Sequence, residues 1–89
     1  MPTICFTPQL RRFVEAADVQ TSATTLRAAL DDAFACQPRV RGYVLDDQGH
    51  LRPNVVVFID GRRCRERVHL ADPLAPDSRV HVLQALSGG

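Results

Sequence analysis

Five consecutive apolar residues, Val55-Val56-Val57-Phe58-Ile59, constrain this chain more than any other stretch. The run is β-branched and aromatic, the composition of a strand, and Asp60-Gly61 follows at once, a dipeptide that favours a tight hairpin. Side chains alternate along a strand, so Val55, Val57 and Ile59 share one face and Val56 and Phe58 the other. Both faces are apolar. The fold must therefore cover one side of a sheet with a core and find a use for an apolar patch on the other. Eighty-nine residues suffice for one domain with one core.

The core side is supplied by a helix spanning about Thr25 to Cys36, in which Leu26, Ala29, Leu30, Ala33 and Phe34 recur at helical spacing. Arg27, Asp31 and Asp32 fall off that stripe, toward water. Thr24 is placed to cap the first turn. Gln37-Pro38 ends the helix, because a residue before proline is pushed out of the α region. Upstream, Thr3–Thr7 alternates as a first strand and stops at Pro8. Leu10 to Phe13 is a connection whose Leu10 and Phe13 can tuck under the sheet. A weak second strand lies between Glu15 and Thr21, with Val19 pointing inward, and forms an antiparallel hairpin with the first.

Downstream, Val40–Leu45 reads as a short extended piece and Asp46-Asp47-Gln48-Gly49 as a turn. After Gly61 the chain returns through the basic Arg62–Arg67, crosses Val68-His69-Leu70 and turns at Asp72-Pro73 and Pro76-Asp77-Ser78. Val80–Leu86 is the last strand, with Val80 and Val82 inward and His81 and Leu83 on the other face. The order is strand, strand, helix, strand, short strand, strand. The expected fold is α+β: a mixed four- to five-stranded sheet with one main helix packed on one face. Its expected core is Leu26, Leu30, Phe34, Val55, Val57, Ile59, Val80 and Val82.

Composition excludes several function classes. A net charge of +1 is not that of a dedicated nucleic-acid binder. No stretch approaches the roughly 18 apolar residues of a membrane span. Met1-Pro2-Thr3 leads directly into a strand without signal-peptide features, so a cytoplasmic protein is expected. Cys5, Cys36 and Cys64 are odd in number and form no C-x-x-C pair, which favours reduced thiols, with Cys5 and Cys36 expected in or near the core. His50, His69 and His81 lack metal-ligand spacing, and no metal or bound cofactor is expected. Asp31-Asp32 and Asp46-Asp47 read as solvated faces and turn formers. The arginines of Arg62–Arg67 protect a sheet edge or meet an acidic partner; the aromatic platform of an RNA site is missing beside them.

Ser87-Gly88-Gly89 follows the last strand without a linker, so the chain divides into a domain at 1–86 and a tail at 87–89. The tail is thin, because glycine has no Cβ, and it ends in a carboxylate that is ionised at neutral pH. Such a peptide can thread a narrow channel and attack the α-phosphate of ATP. The plainer reading is a frayed end.

On these residues the sequence resembles the MoaD/ThiS β-grasp sulfur carriers and their ubiquitin-like relatives. The element order carries part of the likeness. Leu51-Arg52-Pro53-Asn54-Val55-Val56-Val57-Phe58-Ile59-Asp60-Gly61 carries another part, being similar to the LRPHVNVFVNG stretch of CysO-type carriers. The last strand running into Gly88-Gly89 completes it. Two departures stand out: Asp77-Ser78-Arg79 replaces a common Asp-Gly-Asp, and Gln84-Ala85-Leu86-Ser87 replaces Pro-Ala-Val-Ala.

The resemblance implies a mechanism. A ThiF/MoeB-like activating enzyme uses ATP to adenylate Gly89. Sulfur from a rhodanese or cysteine desulfurase then yields a thiocarboxylate, which serves a sulfur-accepting biosynthetic enzyme. Ser87 and Gly88 thread the channel, and Gly89 carries the sulfur. The chain would be a co-substrate rather than an enzyme, and a monomer on its own. A modifier joined through Gly89 to lysines of other proteins is an alternative, although this chain has no lysine on which to build branched polymers. A small subunit of a molybdopterin-synthase-like complex is another. Val56, Phe58, His81 and Leu83 are the expected docking residues, unless Leu10–Phe13 folds over them.

Overall fold

The computed structural model describes residues 1–12 and 14–84. The strands are β1 (Thr3–Phe6), β2 (Val19–Gln20), β3 (Val55–Ile59), β4 (Arg62–Arg63) and β5 (Arg79–Gln84). The helices are α1 (Pro8–Arg11), α2 (Leu26–Cys36) and α3 (Pro38–Val44). They form a five-stranded sheet in the order β2-β1-β5-β3-β4. The last strand is thus the middle one, parallel to β1 and antiparallel to β3. Both edges are two-residue strands, which limits the backbone open to stray pairing.

The β3–β4 hairpin forms as its sequence demands. Ile59 pairs with Arg62, and the two residues between them, Asp60 and Gly61, have φ values of 52° and 84°. Two successive left-handed residues are the signature of a type I′ turn. The Asp60 carboxylate also accepts hydrogen bonds from Arg79 N and Ser78 Oγ, both at 2.9 Å. It thereby ties the hairpin to the start of β5, and these bonds hold the carboxyl below its usual pKa. Buried Ser78 is accounted for by this bond and by Ala75 N, which donates to its oxygen at 2.8 Å.

Helix α2 buries the whole expected stripe, Leu26, Ala29, Leu30, Ala33 and Phe34. The N–H groups of its first three residues find acceptors outside the helix, and that of Ala29 begins the regular i to i−4 ladder. Leu26 N donates to Asp72 O at 2.9 Å and Arg27 N to Leu70 O at 2.8 Å. Ala28 N donates to Thr25 Oγ1 at 3.3 Å, and Ala29 N to Thr25 O at 3.0 Å. The cap is therefore Thr25, not Thr24, whose carbonyl accepts from Leu74 N instead.

The loop that supplies those carbonyls is itself held by charge. The Glu66 carboxylate accepts from the backbone N–H groups of Val68, His69 and Leu70 at 2.7, 2.8 and 2.6 Å. Leu70 sits at φ 55° with its side chain fully buried, a strained backbone that this clamp maintains. The same bonds draw the Glu66 carboxyl down from 4.5 to about 2. A depressed carboxyl stabilises the fold above its unfolded value and loses that contribution as pH falls through the folded value. Acid unfolding should accordingly steepen between about pH 4.5 and 2, and Glu66→Gln should remove that steepening. An unchanged acid profile in the variant would show that the carboxylate does not hold the loop.

Two expectations need correction. Val40–Leu45 is not extended: residues 38–44 form α3, with Pro38 in its first turn and Val40 and Val44, four apart, both buried. Its last turn is secured from outside, as Arg52 Nε donates to Gly42 O at 2.7 Å and Arg52 N to Val44 O at 3.0 Å. The sheet thus carries α3 beside the one main helix. Finally, Cys36 is exposed at the end of α2, Cys5 is half-buried, and Cys64 is the buried thiol. Burial raises the pKa of both Cys5 and Cys64.

The core matches the rest of the expectation. Leu26, Leu30, Phe34, Val55, Val57, Val80 and Val82 are buried, Ile59 packs half-buried against them, and Leu10 joins them. No described helix is long and apolar enough to cross a membrane.

Candidate functional site

The site has two parts, a point of exit and a face. The exit is Gln84, the last described residue of β5. It pairs with Val55 at the start of β3, while Val82 accepts a bond from Thr7 N beyond the end of β1. The chain therefore leaves the central strand beside the start of β3 and just past the end of β1. Ser87, Gly88 and Gly89 lie outside the described residues.

The face follows from register. Val56 lies opposite Leu83, and Phe58 opposite His81. Directly paired residues project to the same side of a sheet. The core residues Val55, Val57, Val80 and Val82 take the helix side, so the four expected docking residues make one continuous patch on the other. Val56, Phe58 and Leu83 are half-buried and His81 is exposed. Leu10 is buried in the core, while Phe13 lies outside the described residues.

Register also reveals neighbours that the sequence reading did not assign. Arg63 is opposite Phe58, and Cys5 is beside His81. Arg79, two residues before His81, shares its face at the far end of β5. Arg63 and Arg79 are exposed, so cations flank the apolar patch. Alternation along β5 was the signal for Arg79; Arg63 required the hairpin register. Among the described residues no group of His, Cys, Asp and Glu could hold a metal ion.

A family model now decides the kinship of a central C-terminal strand, a type I′ hairpin and a covering helix: the ThiS family matches residues 4–89. The chain belongs to the ThiS family. No curated protein matches it by sequence. Among solved structures, this ThiS-family protein is similar to CysO of Mycobacterium tuberculosis at 24% identity, with 97% of this chain and 100% of that one covered and a TM-score of 0.78. CysO in the Amycolatopsis orientalis BexX/CysO complex superposes at a TM-score of 0.81, with 17% identity and full coverage of both chains. SAMP1 of Haloferax volcanii gives 0.75 at 21% identity, covering 99% and 98%. At such identities the likeness establishes the fold, which is the ubiquitin-like β-grasp.

Proposed function

We propose that this ThiS-family protein is a sulfur carrier that works through the carboxylate of Gly89. One observation carries the reading: the family match extends through residue 89, beyond a strand that exits from the centre of the sheet. In the proposed sequence a Gly89 carboxylate oxygen attacks the α-phosphorus of ATP on a ThiF/MoeB-like enzyme, and pyrophosphate leaves. The terminal sulfur of a protein persulfide, supplied by a rhodanese or cysteine desulfurase, then attacks the acyl carbon, and AMP leaves. A second thiol cleaves the resulting S–S bond, becoming the disulfide partner and freeing the thiocarboxylate. Ser87 and Gly88 serve as the thread, and any Cβ at Gly88 would crowd the channel. The carrier contributes no acid, base or metal, and a biosynthetic enzyme in the cytoplasm takes the sulfur. Pyrophosphate release from ATP by the activating enzyme should require this chain; release at the same rate without it would defeat the reading.

Val56, Phe58, His81 and Leu83 serve as the docking face for that enzyme. Phe58 is its aromatic anchor, and truncating such an anchor typically costs about 2 kcal/mol or more of binding. Phe58→Ala should therefore weaken binding by about thirtyfold with little change in thermal stability. Undiminished binding, or an unfolded variant, would place Phe58 outside the interface.

Similarity in fold to SAMP1, a small archaeal modifier protein, supports a second reading, attachment of Gly89 to lysines of other proteins. Conjugates of raised mass in extracts would favour it.

A further inference from the structure

Away from the sheet face, two cations converge on the turn that follows α3. Gly49, buried at φ 80°, closes the Asp46–Gly49 turn. A Cβ built on Gly49 would lie 3.4 Å from Arg27 Nη1 and 4.0 Å from Arg41 Nη2, so both guanidiniums stand within 4.0 Å of one point. Arg27 is not there by free rotation. Its Nη2 donates to Val68 O at 2.7 Å and its Nε to His69 O at 3.4 Å, which leaves Nη1 turned to the glycine. Arg41 comes from the exposed side of α3.

Neither arginine has a carboxylate within 4.0 Å among the described residues, where the ion pairs are Arg11–Asp18 and Glu66–His69. Asp31, four residues along α2 from Arg27, forms no ion pair with it. Asp46 Oδ1 accepts from Gln48 N and His50 N, and the Glu66 carboxylate from the loop amides, with neither carboxylate in an ion pair with Arg27 or Arg41. An anion seated over Gly49 would meet both guanidiniums at once. Paired guanidiniums present a donor geometry suited to phosphate or carboxylate oxygens.

We propose that Arg27 and Arg41 form an oxyanion-binding site over Gly49, on the helix side of the molecule and independent of the Gly89 chemistry. Its ligand is a small oxyanion, either free phosphate or a carboxylate-bearing molecule. The test follows the Gly49 amide and the arginine Nε–H resonances while inorganic phosphate, acetate or chloride is titrated at constant ionic strength. Saturable shifts confined to Gly49, Arg27 and Arg41 are expected with phosphate or acetate and not with chloride, and whichever of the two saturates first identifies the source. Arg41→Gln should weaken that binding about tenfold, as loss of a charge-assisted hydrogen bond does. Arg62→Gln, on the edge strand β4, should leave it unchanged. Equal shifts with chloride would reduce the effect to screening and overturn the proposal. So would absent shifts, or retained binding in the Arg41 variant.

Discussion

Removing Gly89, or adding one residue beyond it, is expected to abolish adenylation while leaving the thermal midpoint of the domain nearly unchanged. In the proposed chemistry the reacting oxygen must reach the α-phosphorus, and near-attack geometry requires it within about 3–3.5 Å. One residue of extended backbone spans roughly 3.3–3.6 Å, so either change displaces the carboxylate by more than the tolerance. The fold does not depend on that residue. Every core residue named above lies at or before Val82, and β5 is paired with β1 as far as Val82 and with β3 as far as Gln84. Pyrophosphate release and a thermal melt, measured on the same preparations, separate the two effects. Adenylation that tolerates either change would mean that Gly89 is not the reacting residue. A large fall in the melting midpoint would mean that the tail belongs to the domain.

The second large effect is on stability. Leu30 is fully buried in the middle of α2, within the same core cluster as Val57 on β3 and Val80 on β5. Leu30→Ala removes the transfer free energy of its side chain and leaves a cavity that neighbours fill only in part, together about 2–5 kcal/mol. Domains of this kind have only about 5–15 kcal/mol in all. Urea unfolding should show a much lower midpoint with an unchanged slope, as expected when surface exposed on unfolding stays the same. A loss under about 1 kcal/mol would contradict the close packing of α2 on the sheet.

The parts of the fold that were legible in the sequence are those whose pattern is local and long. Val55–Ile59 with Asp60-Gly61 announces a strand and its turn in seven residues, and Leu26–Phe34 repeats its stripe through more than two turns. The apolar patch was legible as well, because alternation along β3 and β5 separates Phe58 and Leu83 from the core. Helix α3 was not. Its seven residues include two β-branched valines and a glycine, a local bias against helix. What decides it is tertiary: burial of Val40 and Val44, and the Arg52 side chain at its end. The capping of α2 by Leu70 O and Asp72 O joins residues more than forty positions apart, so no local pattern could reveal it. For the same reason the loop clamp of Glu66 and the convergence of Arg27 and Arg41 on Gly49 become visible only in three dimensions. Arg63 joined the site for a related reason, since its place beside Phe58 depends on a register that the turn fixes. The chemistry assigned to Gly89 was read from the sequence and the family alone.

Intact mass of the protein purified from its native host tests the central claim most directly. Replacement of one carboxylate oxygen by sulfur adds about 16 Da, and alkylation by iodoacetamide at the C-terminus distinguishes that sulfur from an added oxygen. The predicted result is this gain, located on a C-terminal peptide containing Gly89 and lost in a strain without the activating enzyme. A mass that stays at the sequence value under active sulfur metabolism, or a gain located on Cys5, Cys36 or Cys64 instead, would contradict the carrier role.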